Sequence, residues 1–203
     1  MTDSAIVHLV DDDEDVRRAL AFLLGTAGLA VRVYESADSL LAKLSSVAQG
    51  CIVSDVRMPG MSGLQLLQVL KERQVSLPVI IMTGHADIAL AVEAMKAGAT
   101  DFLEKPFDDE ALLGAIQAAL NRQRSPLKSD AAIAEARGRL AILSDRERQV
   151  LEGLLRGYPN KTIAYDLGLS PRTVEVHRAN VMRKMAVSSL SELVRMSLAA
   201  GAF

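Results

Sequence analysis

Over the first 124 residues, short apolar runs of strand length alternate with stretches of helical periodicity. The runs are Ile6–Val10, Ala30–Tyr34, Cys51–Ser54, Leu77–Met82 and Thr100–Glu104. Between them the pattern predicts a helix from about Val16 to Ala27, a second opening near Ser36, and a third capped by Ser62. In the third, Leu64, Leu67, Gln68 and Lys71 fall at helical spacing. A fourth spans Asp87–Ala97 and stops at Gly98, and a fifth spans Asp108–Arg122. Five strands each followed by a helix predict a doubly wound α/β module, a parallel sheet covered on both faces.

Near residue 122 the pattern changes. Asn121-Arg122-Gln123-Arg124-Ser125-Pro126 ends the fifth helix, because proline disfavours helix at the residue before it. Ser129–Leu143 is rich in Ala, Glu and Arg and reads as a linker helix weakened by Gly138. From Ser144 on, four short helices and no strand are predicted. Ser144 and Glu147 form a capping box, and so do Ser189 and Glu192. The first of these helices ends near Gly157, the second (about Lys161–Leu167) stops at Gly168, and Ser170-Pro171 opens the third, to about Met185. The expected division is residues 1–122, a linker over 123–143, and an all-α domain over 144–203.

Composition adds three limits. The chain has 203 residues, half of them hydrophobic, and one cysteine. Cys51 alone rules out an internal disulfide and a Cys-rich zinc site, and its apolar neighbours Ile52 and Val53 suit a buried, inert thiol. No apolar run approaches the ~20 residues that cross a bilayer, and Met1-Thr2-Asp3-Ser4 lacks the features of a signal peptide, so no membrane partner and a cytoplasmic location are expected. The net charge of −2 hides an asymmetry: residues 1–124 hold 11 Lys and Arg against 17 Asp and Glu, whereas residues 125–203 hold 12 against 8. An acidic module and a basic one imply different partners.

In the acidic module, Asp11, Asp12 and Asp13 follow strand one and Asp55 follows strand three. Thr83 ends strand four, and Lys105-Pro106 follows strand five. The crevice at those strand ends is where open α/β sheets bind ligands. Taken singly, each residue has a plainer role: an acidic run at a helix N-terminus, a turn, a strand-end cap, a surface lysine. Together they gather carboxylates that repel unless a cation compensates. Oxygen ligands without His or Cys favour Mg²⁺, with Mn²⁺ as substitute, which takes one or two carboxylates plus a phosphate. Asp55 is then free to act as a nucleophile forming an acyl phosphate, with Thr83 and Lys105 holding the phosphoryl oxygens. A dehalogenase-like phosphatase needs an acid two residues after its nucleophile; Arg57 stands there, and that reading fails.

Val10-Asp11-Asp12, Asp55-Val56-Arg57-Met58-Pro59-Gly60-Met61-Ser62-Gly63, Thr83-Gly84 and Lys105-Pro106-Phe107 resemble the receiver domain of two-component response regulators. The resemblance implies a flavodoxin-like sheet of order 2-1-3-4-5 and phosphoryl transfer from a sensor histidine kinase to Asp55. It implies Mg²⁺ held by Asp12 directly, Asp11 through water, Asp55, and the backbone carbonyl of Arg57. It implies a cis Lys105-Pro106 peptide and a switch in which Thr83 moves and Phe102, standing where many receivers carry Tyr, turns inward. Such a receiver catalyses its own phosphorylation and dephosphorylation, but its output is not an enzyme's. The face from about Ile88 to Glu104 is where active receivers pair as homodimers.

In the basic module, short helices joined by a glycine turn suggest a helix-turn-helix, with Asn160–Leu167 as scaffold and Pro171–Met185 as recognition helix. Val174, His177, Val181 and Met185 read as its buried stripe. Arg172, Glu175, Val176, Ala179 and Arg183 form an opposing stripe suited to a major groove: Arg for guanine, Glu for cytosine N4, Val or Ala for a thymine methyl. Arg178 flanks it, and Lys161, Thr173, Asn180 and Lys184 are phosphate candidates. His177 reads as a core histidine. Leu143-Ser144-Asp145-Arg146-Glu147-Arg148-Gln149-Val150-Leu151, Asn160-Lys161-Thr162-Ile163-Ala164 and Leu169–His177 resemble the four-helix LuxR/NarL-type DNA-binding domain. Glu175 and Ala179 stand where some relatives carry lysines, so base preferences do not transfer.

The whole chain, including Met95-Lys96-Ala97-Gly98-Ala99 and the Asn160–Asn180 segment, is similar to the nitrogen-fixation branch of these regulators. That implies an oxygen-responsive haem sensor kinase as partner, the haem being the kinase's, with promoter DNA and RNA polymerase as further partners. The expected mechanism is a phosphorylation-gated activator that dimerises. A phosphate sink with autophosphatase activity and a phosphorylation-independent DNA binder are the alternatives.

Overall fold

The computed structural model describes residues 5–44, 49–84, 88–124 and 130–202. It divides into two compact units, residues 1–85 with 97–126, and residues 86–96 with 127–203.

The first unit is built on five parallel strands: β1 (Ile6–Val10), β2 (Ala30–Tyr34), β3 (Gly50–Asp55), β4 (Val79–Thr83) and β5 (Asp101–Glu104), in the order β2-β1-β3-β4-β5. Strand alternation sends Val7, Leu9, Cys51, Val53, Ile80 and Met82 to one face. There they pack with Leu24 of α1 (Glu14–Thr26) and Leu112, Ile116 and Ala119 of α5 (Asp109–Arg124). The other unit-one helices are α2 (Ala37–Ala42), capped by Ser36, and α3 (Gly63–Glu72), which buries Leu66, Leu67 and Leu70. Cys51 is fully buried, and burial pushes its thiol up to about 12, so it is inert at neutral pH.

Two boundaries differ from the periodicity, for local reasons. β4 starts at Val79 because Pro78 has no N–H to give the ladder, although its carbonyl accepts from the Ile52 amide at 2.9 Å. β3 runs through Asp55, so that residue ends the strand rather than following it. The proposed break at Ser125-Pro126, the start of the linker helix at Ser129, Asp87 and the first four residues lie outside the described residues.

The second unit holds α4 (Ile88–Ala97) except its last residue, α6 (Asp130–Ala141), α7 (Asp145–Leu155), α8 (Asn160–Leu167), α9 (Pro171–Met185) and α10 (Leu190–Ala200). Ser144 and Glu147 form the expected reciprocal cap. The second capping box is only half made. Ser189 accepts from the Glu192 amide at 3.2 Å, but the Glu192 carboxylate bonds the Ser188 amide, one residue earlier, at 3.0 Å. Gly168 ends α8 in the left-handed conformation, which a glycine adopts without strain. α7, α8 and α9 pack around Val150, Leu154, Ile163, Val174 and Val181. Among the described residues, no helix is long and apolar enough to cross a membrane.

His8, in the middle of β1, is fully buried with Nδ1 3.0 Å from the Tyr34 hydroxyl. Burial lowers its pKa below 6.5; the Gln49 backbone opposes this and Arg32 adds to it. Between the folded and unfolded values the unfolded chain binds the extra proton. His8 therefore costs the fold nothing above pH 6.5 and weakens it as pH falls through that value. Denaturant titrations from pH 7.5 to 5 should show receiver stability dropping in the wild type and dropping less in His8→Asn. Parallel curves would contradict this.

Candidate functional site

Because the strands are parallel and in register (Asp55 beside Met82, Thr83 beside Glu104), their carboxyl ends form one edge. Asp11 follows β1 there, Asp55 ends β3, Thr83 ends β4 and Lys105 follows β5. The Lys105 ammonium donates to Asp55 Oδ1 at 2.5 Å and to Asp11 Oδ2 at 3.0 Å. Lys105-Pro106 is cis, as the family resemblance implies. The second Asp55 oxygen accepts from the Arg57 amide at 2.6 Å. Thr83 is buried, with its hydroxyl 3.5 Å from the Leu103 carbonyl, and Phe102 is half-buried on β5, where it pairs with Ile81 rather than Thr83.

Burial raises the Asp55 pKa, while Lys105 and the Arg57 amide pull it down and Asp11 adds to the rise. Burial disfavours the Lys105 ammonium too, but Asp55 and Asp11 outweigh it and the net shift is upward. The arrangement sets a desolvated carboxylate against a fixed cation. That suits an oxygen nucleophile whose product carries more negative charge.

Of the expected metal residues, the structure brings Asp11 and Asp55 together and leaves Asp12 exposed at the rim. Asp13 has a capping role, accepting from the Asp15 and Val16 amides at the start of α1. Among the described residues, no three His, Cys, Asp or Glu side chains gather as a metal cluster. Two buried carboxylates facing one cation do fit Mg²⁺, which keeps waters and takes only one or two carboxylates.

On α9, Arg172, Glu175, Val176, Ala179 and Arg183 are all exposed, while Val174, Val181 and Met185 are buried and His177 is half-buried. Arg172 pairs with Glu175 at 3.1 Å, and Arg183 donates to Asn180 at 3.0 Å. Arg178 is half-buried and Lys161, on α8, is exposed. Thr173 shares its hydroxyl with the Ser170 cap at 2.8 Å. Lys184 is placed differently from the expectation. Its ammonium lies 2.6 Å from the buried Glu147 carboxylate, whose pKa that hydrogen bond helps hold down to about 2, and 3.3 Å from the Ile142 carbonyl.

Residues 7–117 match the response regulator receiver domain, and residues 141–197 match the bacterial regulatory proteins of the luxR family. The chain is a two-component response regulator. It is 58% identical to the transcriptional regulatory protein FixJ of Azorhizobium caulinodans, covering 99% of this chain and 95% of that one. It is 46% identical to the response regulator protein TodT of Pseudomonas putida, over 97% and 87% of the two chains. Full-length FixJ from B. japonicum has a similar structure, with a TM-score of 0.60 at 49% identity and full coverage of both chains. The regulator thus joins a receiver, a domain family that uses Mg²⁺ for phosphorylation, to a DNA-binding output.

Two positioning features were not predicted from the sequence. Arg17 of α1 donates to the Asp11 carbonyl at 2.7 Å, fixing the turn that carries the acids; its place six residues on was the available signal. Gly63 opens α3 against the Asp55 backbone: a Cβ there would stand 2.3 Å from the Asp55 carbonyl oxygen. Gly63→Ala must push α3 or the Asp55 strand end aside, and should cost the receiver about 1–3 kcal/mol in denaturant unfolding. Wild-type stability in that variant would contradict the close approach.

Proposed function

We propose that a sensor histidine kinase phosphorylates Asp55 and that the acyl phosphate raises the affinity of the α9 domain for promoter DNA, activating transcription. The observation that carries this reading is the Lys105 ammonium joining Asp55 to Asp11 across 50 and 94 residues of sequence. An Asp55 oxygen forms the new P–O bond as the P–N bond of the kinase phosphohistidine breaks, and the electron pair leaves with the imidazole nitrogen. Lys105 meets the charge of the incoming phosphoryl group, and the Thr83 hydroxyl lies at the adjoining strand end to bond it. Asp11, Asp12, Asp55 and the Arg57 carbonyl would hold Mg²⁺, which supplies charge neutralisation for the transfer. Thr83 and Phe102 form the switch.

On the output side, the exposed stripe of α9 enters the major groove. Arg172 and Arg183 suit guanine, Glu175 cytosine, and Val176 and Ala179 thymine methyls. Lys161, Thr173, Arg178 and Asn180 serve the phosphates or the groove edge. Lys184 contributes chiefly by holding Glu147. A phosphorylated homodimer sets two recognition helices on half-sites about one helical turn apart. The similarity to FixJ proteins supports nitrogen-fixation promoters as targets, RNA polymerase as the partner recruited, a FixL-like oxygen-responsive kinase as donor, and a cytoplasmic location. The domain limits that go with this reading are 1–122, 123–143 and 144–203.

Asp55→Asn keeps the size of the side chain and removes the phosphoryl acceptor. With acetyl phosphate and Mg²⁺, the wild type should dimerise and bind promoter fragments at least tenfold more tightly, and Asp55→Asn should do neither. Equal tightening in both proteins would overturn the gate. Phosphorylation without any change in mass or affinity would favour the phosphate sink.

A further inference from the structure

Helix α6 lies in the same compact unit as the DNA-binding helices, packed on α10 and α9. Two of its arginines end those helices. Arg139 donates from its guanidinium to the carbonyl of Met185, the last residue of α9, at 2.6 Å. Arg137 Nε donates to the carbonyl of Ala200, the last residue of α10, at 3.2 Å. The chain's own amides satisfy the preceding carbonyls: Ala186 bonds Arg183 O and Val187 bonds Met182 O, while Gly201 bonds Leu198 O and Ala202 bonds Ser197 O. The arginines thus take up terminal carbonyls that no backbone amide of the described residues reaches, and place positive charge at the negative end of each helix dipole.

Arg139 is itself aimed by Glu135, which accepts from its other terminal nitrogen at 2.6 Å. The next turn is held in return: Arg148 of α7 donates to Leu140 O at 3.3 Å, and Lys184 of α9 to Ile142 O at 3.3 Å. The need for a clamp at α9 is visible in its own stop signal. Ala186 ends the helix at φ 51, a left-handed conformation disfavoured for a residue with a Cβ. α9 therefore terminates in a strained turn, and its last turn carries Arg183 of the exposed stripe.

We infer that Arg139 is a positioning residue for DNA recognition. Through the Met185 carbonyl it holds the C-terminal turn of α9 in register, so that α6 orders the recognition helix. The inference rests on the reading of α9 as the DNA-facing helix. It adds that α6 belongs functionally to that helix, and any displacement of α6 is felt at Arg183.

The test uses the full chain as wild type, Arg139→Ala, Arg139→Lys and Arg137→Ala. Arg137→Ala is the comparison, since it removes the same kind of cap from α10. Two quantities are read: amide hydrogen exchange in the last turn of α9, and affinity for a duplex selected by the wild type from a random pool, against random duplex of equal length. Arg139→Ala should speed exchange over 182–187 and weaken selected-site binding about tenfold, with a smaller loss on random duplex. Arg139→Lys, which keeps one charged donor, should recover part of both, and Arg137→Ala should lose thermal stability without losing selectivity. Equal loss of selectivity in Arg137→Ala and Arg139→Ala, in proportion to stability, would overturn the inference, as would unchanged exchange in α9. The exchange measurement needs no DNA. Failure of the wild type to select any duplex would strike the DNA-binding reading instead, with the clamp still judged by exchange.

Discussion

One lysine ammonium, set between two buried carboxylates, is the constraint on which the receiver's chemistry depends. Asp11 and Asp55 lie at the ends of neighbouring strands, and their charges would repel strongly in so dry a place without Lys105 between them. The strand order and register bring the three together. β5 lies at the far edge of the sheet from β1, yet the residue that follows it reaches across β4 and β3 to the Asp11 carboxylate. Gly63 and Arg17 work on the backbone around this centre, one by leaving room beside Asp55 and the other by pinning the Asp11 carbonyl.

The site is tuned against stability. Burial favours the neutral form of Asp55, and the Lys105 ammonium opposes that rise. A phosphoryl group at Asp55, as proposed, would add negative charge to the same place and compete for the same ammonium. Redistribution of Lys105 contacts would be a physical route from the proposed covalent change to a second arrangement of the strand ends. The two arrangements must differ in their affinity for phosphate if phosphate is to choose between them.

Much of this is legible in the residues. Strand and helix alternation, the Ser62 and Ser144 caps, the Gly168 stop and the two faces of α9 follow from spacing and capping chemistry that act within one or two turns. The features that escape such reading are made at long range. The Glu147–Lys184 pair spans 37 residues and turns a residue resembling a phosphate contact into an internal prop. Asp11 and Asp12 are adjacent and chemically identical, and only the direction of the chain after β1 decides which is buried. The roles of Arg137 and Arg139 carry no local signal, because the carbonyls they bond lie 63 and 46 residues away. Shifted boundaries such as β4 have a smaller cause, the missing amide of Pro78.

The central claim is that the Asp55 centre governs the α9 surface, and the most direct measurement follows both in one sample. The wild type would be phosphorylated to graded extents, the modified residue located and quantified by peptide mass spectrometry, and promoter-fragment affinity measured on each aliquot. The account predicts that the tight-binding fraction rises in step with phosphate on Asp55, and that no other residue carries the phosphate. Affinity indifferent to that fraction, or tracking modification elsewhere, would contradict it.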